Sequence, residues 1–402
     1  MGFPSSAVCV IGATVAGLVC AIDLARRGVR VQVLDPNPDA VSASIGHGVA
    51  TILQGELLRE LAMGIGVEAA HDHIRAARDA IAWVQQVANA HEAPITHSTV
   101  SERCLDGHIA FELRHEAQLL RGAGVGIEFT DTQPLAGGLT LRPGFELRDQ
   151  VVLDPRSYAE ALHAEARDRG VEVTNDVTVV RLTHSGGQHV VYHRRSSLAL
   201  PAELLAHRSG AVVDTLGVTP WGRHARAGRD AQFAPVVTAR LPQTLDRVVA
   251  LRDSPAKLLR PAGESVLVIG HPMTPAEAGG ADERLADWVR GALGGAIIES
   301  SVMWFDPFSP GQLTSGASPI AGGFWAVGNG FWELTSGTAS GQRLARLLLG
   351  DEDAGLTWRD RLSPLVRARA ATSAFIRRRT GTLADPVTNV RSVLRRRNLS
   401  LD

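Results

Sequence analysis

The chain has 402 residues, 45% of them apolar, and a formal charge of −1 from 41 basic and 42 acidic side chains. That length allows one large two-lobed domain or two ordinary ones with a substantial core. The balanced charge excludes an overall pull toward nucleic acid or an anionic membrane surface.

Lys257 is the only lysine, so lysine chemistry is confined to one position. The three cysteines, Cys9, Cys20 and Cys104, have no metal-binding spacing, and two lie in the apolar first unit. A reducing, cytoplasmic compartment and no metal site are expected. No apolar run has the length of a membrane span. The apolar start lacks a basic leader, and its first strand and helix belong to the fold, so it does not read as a secretory signal.

In chain order, the first pattern is AVCVIGATVAGLVCAIDLARRGVRVQVLD, Ala7 to Asp35. An apolar strand runs into Gly12-Ala13-Thr14-Val15-Ala16-Gly17, then a helix over Leu18–Arg27 closed by Gly28, then a strand over Val29–Leu34 ending on Asp35. Strand, tight turn, helix, strand and acid make a dinucleotide-binding unit. Backbone N–H groups at the helix start, helped by the helix dipole, favour a phosphate there. Thr14 stands where the usual G-x-G-x-x-G pattern has its second glycine; a small hydroxyl residue still lets phosphate approach. Asp35 suits a ribose hydroxyl and disfavours a 2′-phosphate.

His71 and His73 follow on a helical segment. Their i, i+2 spacing does not share a helix face, so surface histidines are expected rather than a metal pair. Gln150 to Leu182 reads as a strand, an Asp-Pro, an amphipathic helix over Ser157–Arg169 ended by Gly170, and two short apolar stretches. An apolar strand then precedes Gly217 and Trp221-Gly222. A loop and an amphipathic helix over Ala281–Leu293 follow. Trp304, Phe305 and Phe308 in SVMWFDPF either line a substrate cavity or belong to an ordinary sheet core. The segment GGFWAVGNGFWELTSGTASGQRLARLLLGD reads as strand, glycine-rich loop and a helix over Thr338–Leu349. The arginine-rich tail after Asp353 reads as helices packed on the first lobe or an oligomer contact.

These segments, in this order, resemble the FAD-dependent amine and amino-acid oxidases, a family that includes glycine oxidase, D-amino-acid oxidase, sarcosine oxidase and dimethylglycine dehydrogenase. The resemblance covers about residues 7 to 350. It implies an α/β fold, α+β taken overall: a Rossmann-like FAD-binding lobe and a mainly antiparallel sheet lobe that covers the flavin. The lobes are assembled from pieces, with the FAD lobe at 1–85, 149–232 and 319–402 and the substrate lobe at 86–148 and 233–318. By resemblance, the first turn (Gly12, Ala13, Thr14, Val15, Ala16, Gly17) holds the diphosphate. Asp35 and Pro36 lie at the adenosine ribose, Val179 beside the adenine, and Gly217 and Trp221 along the dinucleotide. Gly328, Asn329, Phe331, Trp332, Glu333, Leu334 and Thr335 face the flavin's pyrimidine end.

Two places depart from the family. In SASIGHGVATIL, Ser44, His47 and Gly48 run along the flavin, and His47 matches the histidine through which dimethylglycine dehydrogenase binds its flavin covalently. Either His47 forms such a link or it only hydrogen-bonds near the ring. A cysteinyl link is excluded, since SVMWFDPF has no cysteine. Secondly, Phe331-Trp332-Glu333 replaces open glycine-rich backbone, so these side chains either reshape the pocket or turn outward. Thr335 falls where sarcosine oxidases carry a substrate lysine. The arginine that many amino-acid oxidases place ahead of this loop is missing too. A carboxylate substrate wants a forked arginine, and Arg223, Arg240, Arg252 and Arg260 are the replacements that spacing alone does not rank.

The expected activity is hydride transfer from a C–N bond of a small amine or amino acid to FAD. His47, Trp304, Trp332 and Glu333 are the candidate reaction-centre residues, and Lys257 is the sole candidate for oxygen activation. A small molecule is the expected partner, with no nucleic acid and no membrane, in a monomer or homodimer. Two rivals stay open. A flavin monooxygenase is one, although Gly328-Asn329 differs from the Gly-Asp pair of that class. A flavoprotein-like scaffold without redox function is the other.

Overall fold

The computed structural model describes residues 5–37, 45–55, 57–64, 66–195, 204–226, 232–253, 255–274, 277, 279–305, 315–318 and 320–351. Strands are numbered along the chain. The first sheet centres on three buried parallel strands, β1 (Ser5–Ile11), β2 (Val31–Leu34) and β12 (Leu205–Asp214), in the order β12-β1-β2. β9 (Glu172–Thr174) extends it beyond β2, also in parallel. On the other side, β10 (Val177–Ser185) and β11 (Gln188–Arg195) form an antiparallel hairpin leading into β12. β19 (Gly323–Ala326) pairs in parallel with the last residues of β12 and antiparallel with β18 (Ser315–Ala317). The first helix covers one face, where Val8, Val10 and Val33 cluster with Leu18 and Ile22, and on the other face Cys9, Ile11 and Leu34 cluster with Val177 and Val191 of the hairpin and with Trp221.

The second sheet has nine strands. Its main path runs β17 (Ala296–Phe305), β13 (Gln232–Arg240), β16 (Ser265–Ile269), β15 (Lys257–Ala262), β14 (Val248–Leu251), β4 (Ile95–Arg103), β8 (Gly144–Leu153), β3 (Val49–Ala50), and β5 (Glu128–Thr130) pairs with β8. Pairing is antiparallel except between β14 and β4. β6 (Gln133–Pro134) and β7 (Thr140–Leu141) form a separate ribbon. One apolar cluster includes residues of both sheets, among them Val10, Val33, Val49, Leu153, Val213 and Leu258.

Helix boundaries shift from the sequence reading for local reasons. The first helix is Val15–Ala25, starting three residues before Leu18, because Thr14 is its N-cap and accepts from the Gly17 N–H. Helix Pro155–Asp168 starts before Ser157 because Asp154 caps it and Pro155 suits the first turn. The C-terminal helix is Glu333–Leu348, five residues earlier than expected. Its first turns, ELTSGTASG, have poor helix propensity, and packing decides. A Cβ at Gly341 would lie 2.6 Å from Ala16 O and 2.8 Å from Val19 Cβ, so only glycine lets this helix approach the first one. The helix over Ala281–Leu293 lies where it was expected, and the strand over Gln188–Arg195 was not foreseen.

Three helices are tied together by Glu165. Its buried carboxylate accepts from Arg26 at 2.7 Å and Arg169 at 2.9 Å and meets His91 Nε2 at 2.8 Å. The hydrogen bonds and charges of these partners outweigh burial and hold its carboxyl at about 2. The link fixes the end of the first helix against helices Val67–Ala90 and Pro155–Asp168. Among the described residues, no helix is long and apolar enough to cross a membrane.

Candidate active site

The turn after β1 is tightly enclosed. Gly12 takes φ +101°, and a Cβ there would meet Leu216 Cγ and Thr215 Oγ1, each at 2.6 Å. At Gly17, a Cβ would fall inside the van der Waals shell of Gly12 O. Both glycines are therefore required by sterics, while Thr14 is free to cap. Thr215 Oγ1 donates to Ile11 O and Gly12 O at 3.0 Å, which fixes the turn from β12's side. This residue was missed, as was Asp214, which is buried and accepts from Leu216 N, Gly217 N and Thr219 N. The signal was present in DTLGVT, an Asx turn closing on Gly217 at φ +70°. Trp221 is buried and donates through Nε1 to Phe324 O at 2.9 Å. It shares an apolar cluster with Ile11, Leu34 and the half-buried Val179.

Asp35 ends β2 fully buried. Its Oδ1 accepts from Ala13 N at 3.1 Å, and Oδ2 has no hydrogen-bond partner. Burial is the main reason its carboxyl rises to about 6, against the lowering effect of the Ala13 and Asn37 amides. Pro36 beside it is half-buried. A buried acceptor atom wanting a donor, at the mouth of a turn that only glycine backbone fits, suits the ribose and diphosphate of a dinucleotide.

Ser44, Phe308 and the arginine-rich tail lie outside the described residues. His47 is 1% exposed. Its Nδ1 accepts from Val49 N at 3.1 Å, which puts the ring proton on Nε2, an atom without a hydrogen bond of good geometry. Burial first, then the Arg260 charge, push its pKa down to about 3, with the Phe331 backbone opposing, so the imidazole is neutral. Gly48 takes φ +68°, and a Cβ there would fall inside the van der Waals shell of Leu153 O, leaving no room for a side chain.

The C-terminal loop turns inward. The Phe331 ring lies 4.5 Å and the Trp332 ring 4.8 Å from His47, and the two rings meet edge to face at 5.1 Å. Gly328 and Gly330 bend the loop at φ +73° and +72°. Asn329 is buried and accepts from Ser340 Oγ at 2.8 Å. Glu333, 9% exposed, opens the C-terminal helix beside Gly337, and Leu334 is fully buried. Thr335 Oγ1 accepts from Thr51 N at 3.1 Å, which joins this helix to the strand after His47. His47, Phe331, Trp332 and Thr335 therefore converge, although 284 positions separate Thr51 from Thr335.

Trp304 and Phe305 pair through their backbones with Phe233 and Gln232 at the edge of the second sheet. Lys257 does not face His47: its Nζ donates to Pro255 O and sits 4.6 Å over Trp288, on the side covered by helix Ala281–Leu293. The oxygen-activation expectation for Lys257 therefore has no support from its position. His71 and His73 are half-buried rather than on the surface, because helix Val67–Ala90 is covered by its neighbours. Among the described residues, no group of three or more histidines, cysteines and acids has metal-binding geometry. All three cysteines are buried free thiols, with Cys9 pushed up to about 12 and Cys104 to about 11 by burial.

Comparison with known proteins bears on this arrangement. The sequence profile of the FAD dependent oxidoreductase family matches residues 7–347. Among solved structures, the chain is similar to L-proline dehydrogenase from P. horikoshii, with a TM-score of 0.69 and 12% identity over 87% of this chain and 94% of that one. Glycine oxidase from Geobacillus kaustophilus gives 0.66 and 15%, covering 87% and 96%. L-Amino acid deaminase from Proteus myxofaciens gives 0.65 and 14%, covering 89% and 93%. These likenesses concern the fold. No curated protein matches the sequence.

Proposed function

The chain belongs to the FAD dependent oxidoreductase family, and from that premise we propose that it oxidises a C–N bond of a small amine or amino acid. FAD, when bound, supplies the acceptor for the hydride. The family match over residues 7–347 carries the proposal, because it spans both the phosphate-type turn and the C-terminal loop. The two sheets are read as the cores of the two lobes; the cuts at 85/86, 148/149, 232/233 and 318/319 run through helix Val67–Ala90, β8 and β13, and they leave β3 and β18 in the piece opposite to their own sheet.

With FAD bound, the start of the first helix after the Gly12–Gly17 turn would face the diphosphate, and Asp35 Oδ2 would accept from a ribose hydroxyl. Val179, Gly217 and Trp221 would lie along the dinucleotide, and Gly328 to Thr335 with His47 and Gly48 would hold the flavin end. His47, Phe331 and Trp332 make a neutral wall that excludes water. A neutral wall disfavours an ammonium ion, so the amine is held in the unprotonated form from which hydride can leave. With a pKa of about 3, His47 stays uncharged throughout the working pH range and serves as a packing and hydrogen-bonding group rather than a general acid. The Nε2–H tautomer favours a flavin held without a covalent link, since bonding through Nε2 needs the opposite tautomer.

The purified protein, loaded with FAD, is incubated with a panel of amines and amino acids. Peroxide release in air, or dye reduction without air, is expected in the absence of NADPH. Hydroxylation that consumes NADPH, or a protein that takes up no FAD, overturns the reading.

A further inference from the structure

We propose that His184 and His189, facing each other across the β10–β11 hairpin, form a two-nitrogen binding site for a borderline divalent cation such as Zn²⁺ or Cu²⁺. The site does not depend on the amine-oxidation reading above.

Hairpin geometry brings the pair together. Gly186 and Gly187, at φ +59° and +73°, make a two-residue turn flanked by Ser185 and Gln188. The flanking pair of such a turn is hydrogen-bonded, so the next pair, His184 and His189, is of the closer, non-hydrogen-bonded kind. Residues directly opposite share a face of the hairpin. The two rings accordingly lie 4.5 Å apart, tilted by 54°.

His189 is held in the manner of a metal ligand. Its Nε2 lies 2.9 Å from Ala321 O, and a carbonyl only accepts, so the proton is on Nε2 and Nδ1 carries a bare lone pair. That Nδ1 is buried and has no hydrogen-bond partner. The ring is fully buried and meets Trp221 edge-on at 5.8 Å. Gly322 makes room for it: a Cβ there would lie 3.1 Å from His189 Nε2. A backbone carbonyl on the far ring nitrogen is the partner that orients metal-binding histidines and raises their basicity as ligands. Burial lowers the pKa of His189 against the opposing pull of the Ala321 carbonyl, so no proton competes for Nδ1 at neutral pH. His184 is exposed, so its ring can turn toward a shared ion without disturbing the core.

The donor set selects the ion. Mg²⁺ and Ca²⁺ take oxygen ligands, whereas imidazole suits Zn²⁺, Cu²⁺ and Ni²⁺. No set of three histidines, cysteines or acids surrounds the pair among the described residues. Water therefore completes the coordination, and binding is weaker than at a closed four-ligand site. An ion there would tie β10 to β11 and, through His189, to Ala321 ahead of β19.

Full-length FAD-loaded protein is freed of metal with EDTA, dialysed, and titrated calorimetrically with ZnCl₂ and with MgCl₂. Wild type is expected to bind Zn²⁺ with micromolar affinity and to give no heat with Mg²⁺. His184→Ala, at an exposed position that the fold does not need, should weaken Zn²⁺ binding by at least about 10-fold, since losing a ligand costs no less than losing the group that orients one. His189→Gln should do the same. His97→Ala, exposed on β4 of the other sheet, should match wild type. With Cu²⁺ as the probe, electron paramagnetic resonance should show splitting from two nitrogens in wild type and from one in His184→Ala. Zn²⁺ binding that is absent in wild type, or equal in wild type and His184→Ala, overturns the proposal, and so does Mg²⁺ binding as tight as that of Zn²⁺.

Discussion

Replacing Glu165 by Gln tests how the first helix is anchored. Glutamine approximates the protonated carboxyl in size and hydrogen-bonding capacity but carries no charge. The folded carboxyl titrates at about 2, against 4.5 for the unperturbed group. That difference corresponds to about 3 kcal/mol in favour of the charged form. The carboxylate is 5% exposed in its ion pairs, so solvent screening removes little of this. Because the folded pKa is depressed, the contribution is complete above pH 4.5 and fades as pH falls toward 2. Urea unfolding followed by circular dichroism should place Glu165→Gln about 3 kcal/mol below wild type at pH 7. The gap should narrow to about half that at pH 3 and close near pH 2. Parallel pH curves for the two proteins, or a gap under about 1 kcal/mol at neutral pH, would refute the assignment of Glu165 as a charged hub.

Three further outcomes are expected. Gly17→Ala puts a methyl group against Gly12 O, so the variant should purify without flavin colour, and a fully yellow protein would contradict the steric argument. Acid precipitation of wild type should release flavin into the supernatant; colour staying with the pellet would show that His47 or another residue binds it covalently. His47 takes up a proton at about 3 when folded, against 6.5 for the free group, so its burial lowers wild-type stability as pH falls below 6.5. His47→Gln should lessen that acid sensitivity, measured as the slope of melting temperature between pH 7 and 4, and an unchanged slope would count against a buried neutral imidazole.

Much of the first lobe was legible because its signals are local. Gly12, Gly17 and Asp35 mark a turn whose geometry follows from a few adjacent residues, and Asp154-Pro155 announces a helix start in two letters. The C-terminal helix was misjudged at its beginning because ELTSGTASG has weak helical preference, and what makes it helical is Ala16 lying against Gly341, 325 positions away by residue number. The hairpin through Gln188–Arg195 was missed for a related reason: its alternation is interrupted by histidines that the fold buries, His189 among them. The inward turn of Phe331 and Trp332 was one of two options from sequence, and contact with His47 selects it.

The placement of β19 beside β12 has a bearing on how the polypeptide matures. On a ribosome, residues 5–214 emerge well before residues 323–326, so the nascent chain exposes the unpaired end of β12 until β19 is made, and the apolar flank of its first helix for longer. Contacts this distant in sequence slow folding and leave open strand edges prone to wrong association. Translation arrest ahead of Gly323 should therefore yield chains that aggregate or stay bound to chaperones, whereas chains extended through Leu348 can close.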